Sequence, residues 1–98
     1  MKIVLIKNGK VELRNENGSL ARTIGGDAIS ADFNNAQSLI VITTIKGKCE
    51  LRKENGSLVR TIGGDAISAK WYGSDIAITT TKGKTEIRKI NGLLIRTL

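Results

Sequence analysis

With 98 residues, 40% of them apolar, the chain has room for one small hydrophobic core and is too rich in core-forming residues to be disordered. Its balance is basic, 16 Lys and Arg against 9 Asp and Glu for a net charge of +7; the excess is spread along the chain, as either a wet lysine-rich surface or a polyanion partner would require. The absence of histidine and the single cysteine, Cys49, remove the commonest general base, a thiol–imidazole dyad, a zinc-ligand spacing and a disulfide framework, so no enzyme, cofactor or metal is expected.

The N-terminal stretch MKIVLIK carries only a short apolar run, Ile3–Ile6. That is too little for a secretion signal or a membrane span, so it reads as a strand, with no membrane association and a cytoplasmic location expected. Asn8-Gly9 turns it into KVELR, and Asn17-Gly18 turns that into SLARTI; the glycine of Asn-Gly accepts the positive φ a tight hairpin needs. Gly25-Gly26-Asp27 hands over to DAISADF, which the loop FNNAQS joins to SLIVITTI. Lys46-Gly47 leads into KCELRK, Asn55-Gly56 into SLVRTI and Gly63-Gly64-Asp65 into DAISAKW. The loop WYGS, the strand DIAITTT, then KGKTEIRK, Asn91-Gly92 and LLIRTL follow. No segment shows helical periodicity.

This order is a repeat. ENGSLARTIGGDAISA (Glu16–Ala31) returns as ENGSLVRTIGGDAISA (Glu54–Ala69), and NGKVELR returns as KGKCELR and KGKTEIR. Each unit has four strands: a (DAISADF), b (SLIVITTI), c (KCELRK) and d (SLVRTI). The expected fold class is therefore all-β, made of antiparallel four-stranded repeat units. One repeat domain spans 1–98: a partial unit 1–26 that lacks strand a, then units 27–64 and 65–98. Cys49 stands where the other units carry Val11 and Thr85, which makes it a small packing residue.

Side chains alternate along a strand. Strand b is apolar on both faces, Leu39 and Val41 against Ile40 and Ile42, and Ile3 and Leu5 against Val4 and Ile6. Sheets built on such strands need cover on both sides, so the units are expected to stack. Glu12, Glu50 and Glu86 recur on strand c and Arg22, Arg60 and Arg96 on strand d. A three-residue Asn-Gly turn places Glu50 opposite Arg60, and the equivalent cross-strand pairs follow in the other units.

The stretch Val59–Leu98 resembles a blade of the WD-repeat β-propellers with its flanking strand. It shares the outer strand ending in Arg-Thr-Ile, the glycine crossover, an inner strand ending in an aromatic, a Thr-rich strand, and a strand followed by Asn-Gly. The family's Gly-His pair is Gly-Gly here, at Gly25-Gly26 and Gly63-Gly64, and its Trp-Asp dipeptide is Arg52-Lys53 or Arg14-Asn15. The resemblance covers nearly three units, and propellers close with about four to eight blades. It therefore implies either a piece of a longer protein or a homo-oligomer, with a dimer of six blades favoured among assemblies. The alternative is a single-chain threefold β-prism like the bulb-type mannose-binding lectins, although their sugar-binding motif is absent.

In a propeller the b–c turns and d–a crossovers share one rim. That rim would carry Lys7, Lys10, Lys46, Lys48, Lys82 and Lys84 beside Asp27 and Asp65, a basic ring for a polyanion or nucleic acid. The bland reading is that these lysines keep hairpin tips wet. Trp71 and Tyr72, at an a–b loop, would stack on a glycan; alternatively Trp71 plugs the gap between blades. The aspartates are expected to cap turns. The functional expectation is thus a non-enzymatic binding or interaction module, with a carbohydrate-binding lectin or a polyanion binder as alternatives.

Overall fold

The computed structural model describes residues 2–98. The first sheet holds β1 (Ile3–Lys7), β2 (Lys10–Arg14) and β3 (Leu20–Gly25). The second holds β4 (Ala28–Asn34), β5 (Leu39–Thr44), β6 (Cys49–Lys53) and β7 (Leu58–Gly63). The third holds β8 (Ala66–Tyr72), β9 (Asp75–Thr80), β10 (Thr85–Arg88) and β11 (Leu94–Thr97). Each is a meander of sequence neighbours paired antiparallel, and each follows one repeat unit.

The turns do what their residues require. In the β6–β7 turn Lys53 N donates to Ser57 O at 2.9 Å and Gly56, at φ +92°, occupies the left-handed position that a side chain would resist. This is the expected three-residue loop, yet the register beyond it differs from expectation. A bulge shifts the pairing between Leu51 and Arg52, so Arg60 faces Leu51 and Glu50 faces Thr61. The same shift places Arg22 opposite Leu13 and Arg96 opposite Ile87. The pairs Glu12–Arg22, Glu50–Arg60 and Glu86–Arg96 therefore do not form. The extra residue of the bulge, which no turn residue announces, is the reason.

The sheets stack face to face. Val11, Leu13, Ile24, Ala28, Ile40 and Ile42 fill the space between the first and second sheets. Val41, Cys49, Leu51, Ile62, Ala66, Ala69, Ile76 and Ile78 fill that between the second and third. Val41 and Ile42, neighbours on β5, point into different clusters and are both buried, so the middle sheet is covered on both sides. The approach is close: a Cβ on Gly63 would lie 3.0 Å from Ile78 Cδ1. Both clusters belong to a linear stack of blades, and this rules out the threefold prism.

Candidate functional site

Among the described residues the stack has two end faces with no sheet packed against them. On the first blade Ile3 lies opposite Arg14 and Leu5 opposite Glu12, as Ile40 lies opposite Arg52 and Ile42 opposite Glu50 in the second. Ile40 and Ile42 are 0% and 1% exposed, whereas Ile3 and Leu5 are 51% and 45% exposed. The third blade ends in Leu98, which holds the place of Ile24 and Ile62 in the repeat; those two are buried, while Leu98 is 73% exposed. Beside it, Lys70, Tyr72, Ala77, Ile87, Ile95 and Arg96 help line a cleft of about 430 Å³.

Polar contacts across the internal interfaces show the same asymmetry. Arg22 Nη1 donates to Asn55 O at 3.2 Å, and Arg60 Nη1 to Asn91 O at 3.3 Å. Each strand-d arginine thus reaches the Asn-Gly turn of the next blade. In the repeat Arg96 is the third such donor and Asn17 O the first such acceptor, and among the described residues neither makes the equivalent contact. The strand-c arginines have a different role. Arg52 bonds Glu50 two residues back at 3.0 Å and donates to Gly56 O at 2.7 Å, pinning the turn. Arg14 and Arg88 repeat the arrangement with Glu12 and Glu86.

The rim is assembled by main-chain bonds. Ala28 N donates to Gly9 O and Ala66 N to Gly47 O, each at 2.9 Å, which sets the first two b–c turns against the crossovers that follow them. Two matching clefts result. One, of about 460 Å³, is lined by Asp27, Thr44, Lys46, Lys48 and Glu50 among others; the other, of about 220 Å³, by Asp65, Thr80, Lys82, Lys84 and Glu86. Lys7, Lys10, Lys46, Lys48, Lys82 and Lys84 are all exposed, and none forms an ion pair with a described residue. Asp27 and Asp65 adopt φ of 53° and 51°, and their carbonyls accept from Ile45 N and Thr81 N at 2.7 Å. Their part is conformational, since aspartate tolerates the left-handed region better than most residues.

Trp71 and Tyr72, successive residues on β8, project to opposite faces and make no common platform. Trp71 packs between the second and third blades, and its Nε1 donates to Asp32 O at 3.1 Å. Tyr72 is 65% exposed and lines the outer cleft of the third blade. The tryptophan is thus the plug between blades, and the glycan-stacking pair does not assemble. The sequence reading missed its partners. Asp32 Oδ2 accepts from Trp71 N at 2.9 Å and Ser30 Oγ from Ala69 N at 3.4 Å, so side chains of one inner strand pair with the next inner strand's backbone. The signal was the polar alternation of Ser30 and Asp32 within an otherwise small and apolar strand.

Two titratable groups depart from ordinary behaviour. Burial pushes the Cys49 thiol from 9.0 up to about 12, only partly opposed by the positive charge of Arg88. A hydrogen bond from Lys2 Nζ, at 2.7 Å, holds the Glu54 carboxyl below its usual value and ties the N-terminal strand to the second blade. Among the described residues no group of three Cys, Asp or Glu side chains gathers as metal ligands would. No helix among them is long and apolar enough to cross a membrane.

The model of the family described as the Helicobacter pylori IceA2 protein matches residues 40–98. No curated protein matches. Among solved structures, the Pan2 WD40 domain of Neurospora crassa is similar with a TM-score of 0.70 at 16% identity, over 97% of this chain and 32% of that one. BamB from Moraxella catarrhalis is similar with a TM-score of 0.73 at 18% identity, over 98% of this chain and 31% of that one. The chain thus spans about a third of the length of the solved propellers it matches, and its three sheets are WD-repeat-like propeller blades.

Proposed function

The chain belongs to the IceA2 family and is built of propeller blades, and from that premise we propose that it is a non-enzymatic interaction module whose first partner is a second copy of itself. The observation that carries this is the exposure of Ile3, Leu5 and Leu98 at positions whose repeat equivalents are buried. Head-to-tail docking brings the Leu98 face of one copy onto the Ile3 and Leu5 face of the next, with Arg96 reaching toward Asn17. Two copies joined in this way at both ends make six blades, within the usual range of about four to eight. Covering a large aliphatic side chain contributes roughly 1.5–3 kcal/mol, so one such face competes weakly with the cost of association. Ring closure supplies two faces for a single association, which favours a closed dimer over an open chain.

Light scattering across a concentration series tests the proposal. The expected mass is a closed multiple of 10.6 kDa, returning to the monomer when Leu5→Glu and Leu98→Glu are combined. A wild-type chain that stays at 10.6 kDa throughout sinks it. A second reading is supported by the six exposed rim lysines, none of which forms an ion pair with a described residue. They favour a polyanion, nucleic acid included, whose binding falls steeply with added salt. Lys46→Glu with Lys82→Glu should abolish such binding, and salt-insensitive binding would remove this reading.

A further inference from the structure

We infer that the open inner edge of β1 is an acceptor slot for an extended peptide segment of a partner protein carrying a Ser-x-Asp pattern. In the second and third blades the strand equivalent to β1 has an inner neighbour, β4 on β5 and β8 on β9. In the first blade β1 is an edge strand of its sheet, and among the described residues no strand lies beside it. A cleft of about 390 Å³ occupies the place, lined by Ile3, Val4, Ala31, Asp32, Phe33 and Asn35 among others. Because β5 meets β4 with Val41 opposite Asp32 and Thr43 opposite Ser30, the repeat assigns the open backbone groups of β1 to Val4 and Ile6. Alternation of paired and unpaired positions along an antiparallel edge makes these the residues that exchange bonds with an added strand.

The far wall of the slot asks for particular side chains. Between the second and third blades, Ser30 and Asp32 of β4 accept from the backbone N–H groups of Ala69 and Trp71 on β8. The equivalents of Ala69 and Trp71 on β4 are Ala31 and Phe33, and both line the slot. A strand lying on β1 with serine opposite Ile6 and aspartate opposite Val4 would present its acceptors to those two N–H groups. Its alternate residues, opposite Leu5 and Ile3, would be small and then aromatic, as Ala31 and Phe33 are opposite Ile42 and Ile40. Backbone pairing supplies affinity and the two acceptors supply register. The slot lies at the inner edge of the blade, apart from the flat faces used in self-association, so it is present in a single chain as well as in an assembly.

The chain's own Asp27–Asn34 sequence, as a fluorescein-labelled synthetic peptide, is the probe. Titrated against the full chain and followed by anisotropy, it should bind saturably. It should bind about tenfold more weakly when its aspartate at the Asp32 position is alanine, which removes a charge-assisted bond, and a scrambled peptide should not bind. Amide exchange at Val4 and Ile6 should slow in the presence of the peptide. No saturation at millimolar peptide, equal binding of the scrambled sequence, or unchanged exchange at Val4 and Ile6 would each overturn the slot. Repeating the titration on the Leu5→Glu, Leu98→Glu chain separates it from self-association, because loss of oligomer without loss of peptide binding leaves the slot standing.

Discussion

β1 and β5 hold the same place in successive blades and meet opposite fates. Both carry aliphatic residues on two faces, yet Ile40 and Ile42 are sealed while Ile3 and Leu5 are half exposed. The difference is not in the strands but in whether a blade lies on the far side. A pattern of apolar residues therefore states what a strand can bury, and the neighbour decides what it does bury. Ile40→Ala and Ile3→Ala break this comparison most sharply. Truncating the buried residue should cost about 2–5 kcal/mol in denaturant unfolding. The same change at Ile3 should cost less than about 1 kcal/mol in dilute solution, and its cost should grow with protein concentration if the end face is covered by another copy. Equal costs at all concentrations would mean that the two strands share one environment.

Cys49, buried beside Val41, offers the next largest effect. Its folded thiol is pushed up to about 12 by burial, whereas the unfolded thiol ionises near 9.0. Below pH 9 both states hold the proton and stability is unaffected. As pH rises toward 12 the unfolded chain loses its proton first, and stability falls by roughly 4 kcal/mol at most. Cys49→Val, which installs the residue found at Val11, should abolish that part of the alkaline loss, and unfolding curves at pH 8 and 11 on both proteins would measure it. A wild type and variant with identical alkaline curves would place the thiol near solvent. Thr43 is a smaller contrast in the same cluster: its buried hydroxyl has no hydrogen-bond partner among the described residues, and the first blade carries Ile6 there. Thr43→Val should raise stability by about 1 kcal/mol, and a loss instead would reveal a bond to the hydroxyl.

The strands, their order and the stacking were legible because they rest on short-range rules. Asn-Gly turns fix hairpins, apolar alternation fixes faces, and the return of ENGSL and GGDAISA fixes the unit. Polar detail was less legible. The arginines of strands c and d look interchangeable in sequence, but a one-residue bulge in each c–d hairpin separates them. Arg52 turns back to Glu50, and Arg60 reaches the next blade at Asn91. A bulge depends on the twist that stacked sheets impose, which is a tertiary property. The meeting of b–c turns and d–a crossovers on one edge followed from repeat order alone. The separation of Trp71 from Tyr72 could have been anticipated from strand alternation, had β8 been extended through Tyr72.

The smallest effect discriminates best between the two readings of the arginines. If Glu50 works with Arg52, a double-mutant cycle between Glu50→Ala and Arg52→Ala should show a coupling of about 0.2–1 kcal/mol. The cycle between Glu50→Ala and Arg60→Ala should show none, because the bulge has turned Arg60 toward Leu51 and the neighbouring blade. The same comparison extends to the first blade. Glu50 and Arg52 face that blade, and Arg52 Nε lies 3.8 Å from where a Cβ on Gly25 would stand. Glu12 and Arg14 make an equivalent bond, and their side chains are 16% and 25% exposed against 19% and 23% for Glu50 and Arg52. Two pairs so alike in geometry and exposure should lose their coupling together as salt is added, and a pair that weakened well before the other would show that the next blade, not the turn, sets the strength of the bond.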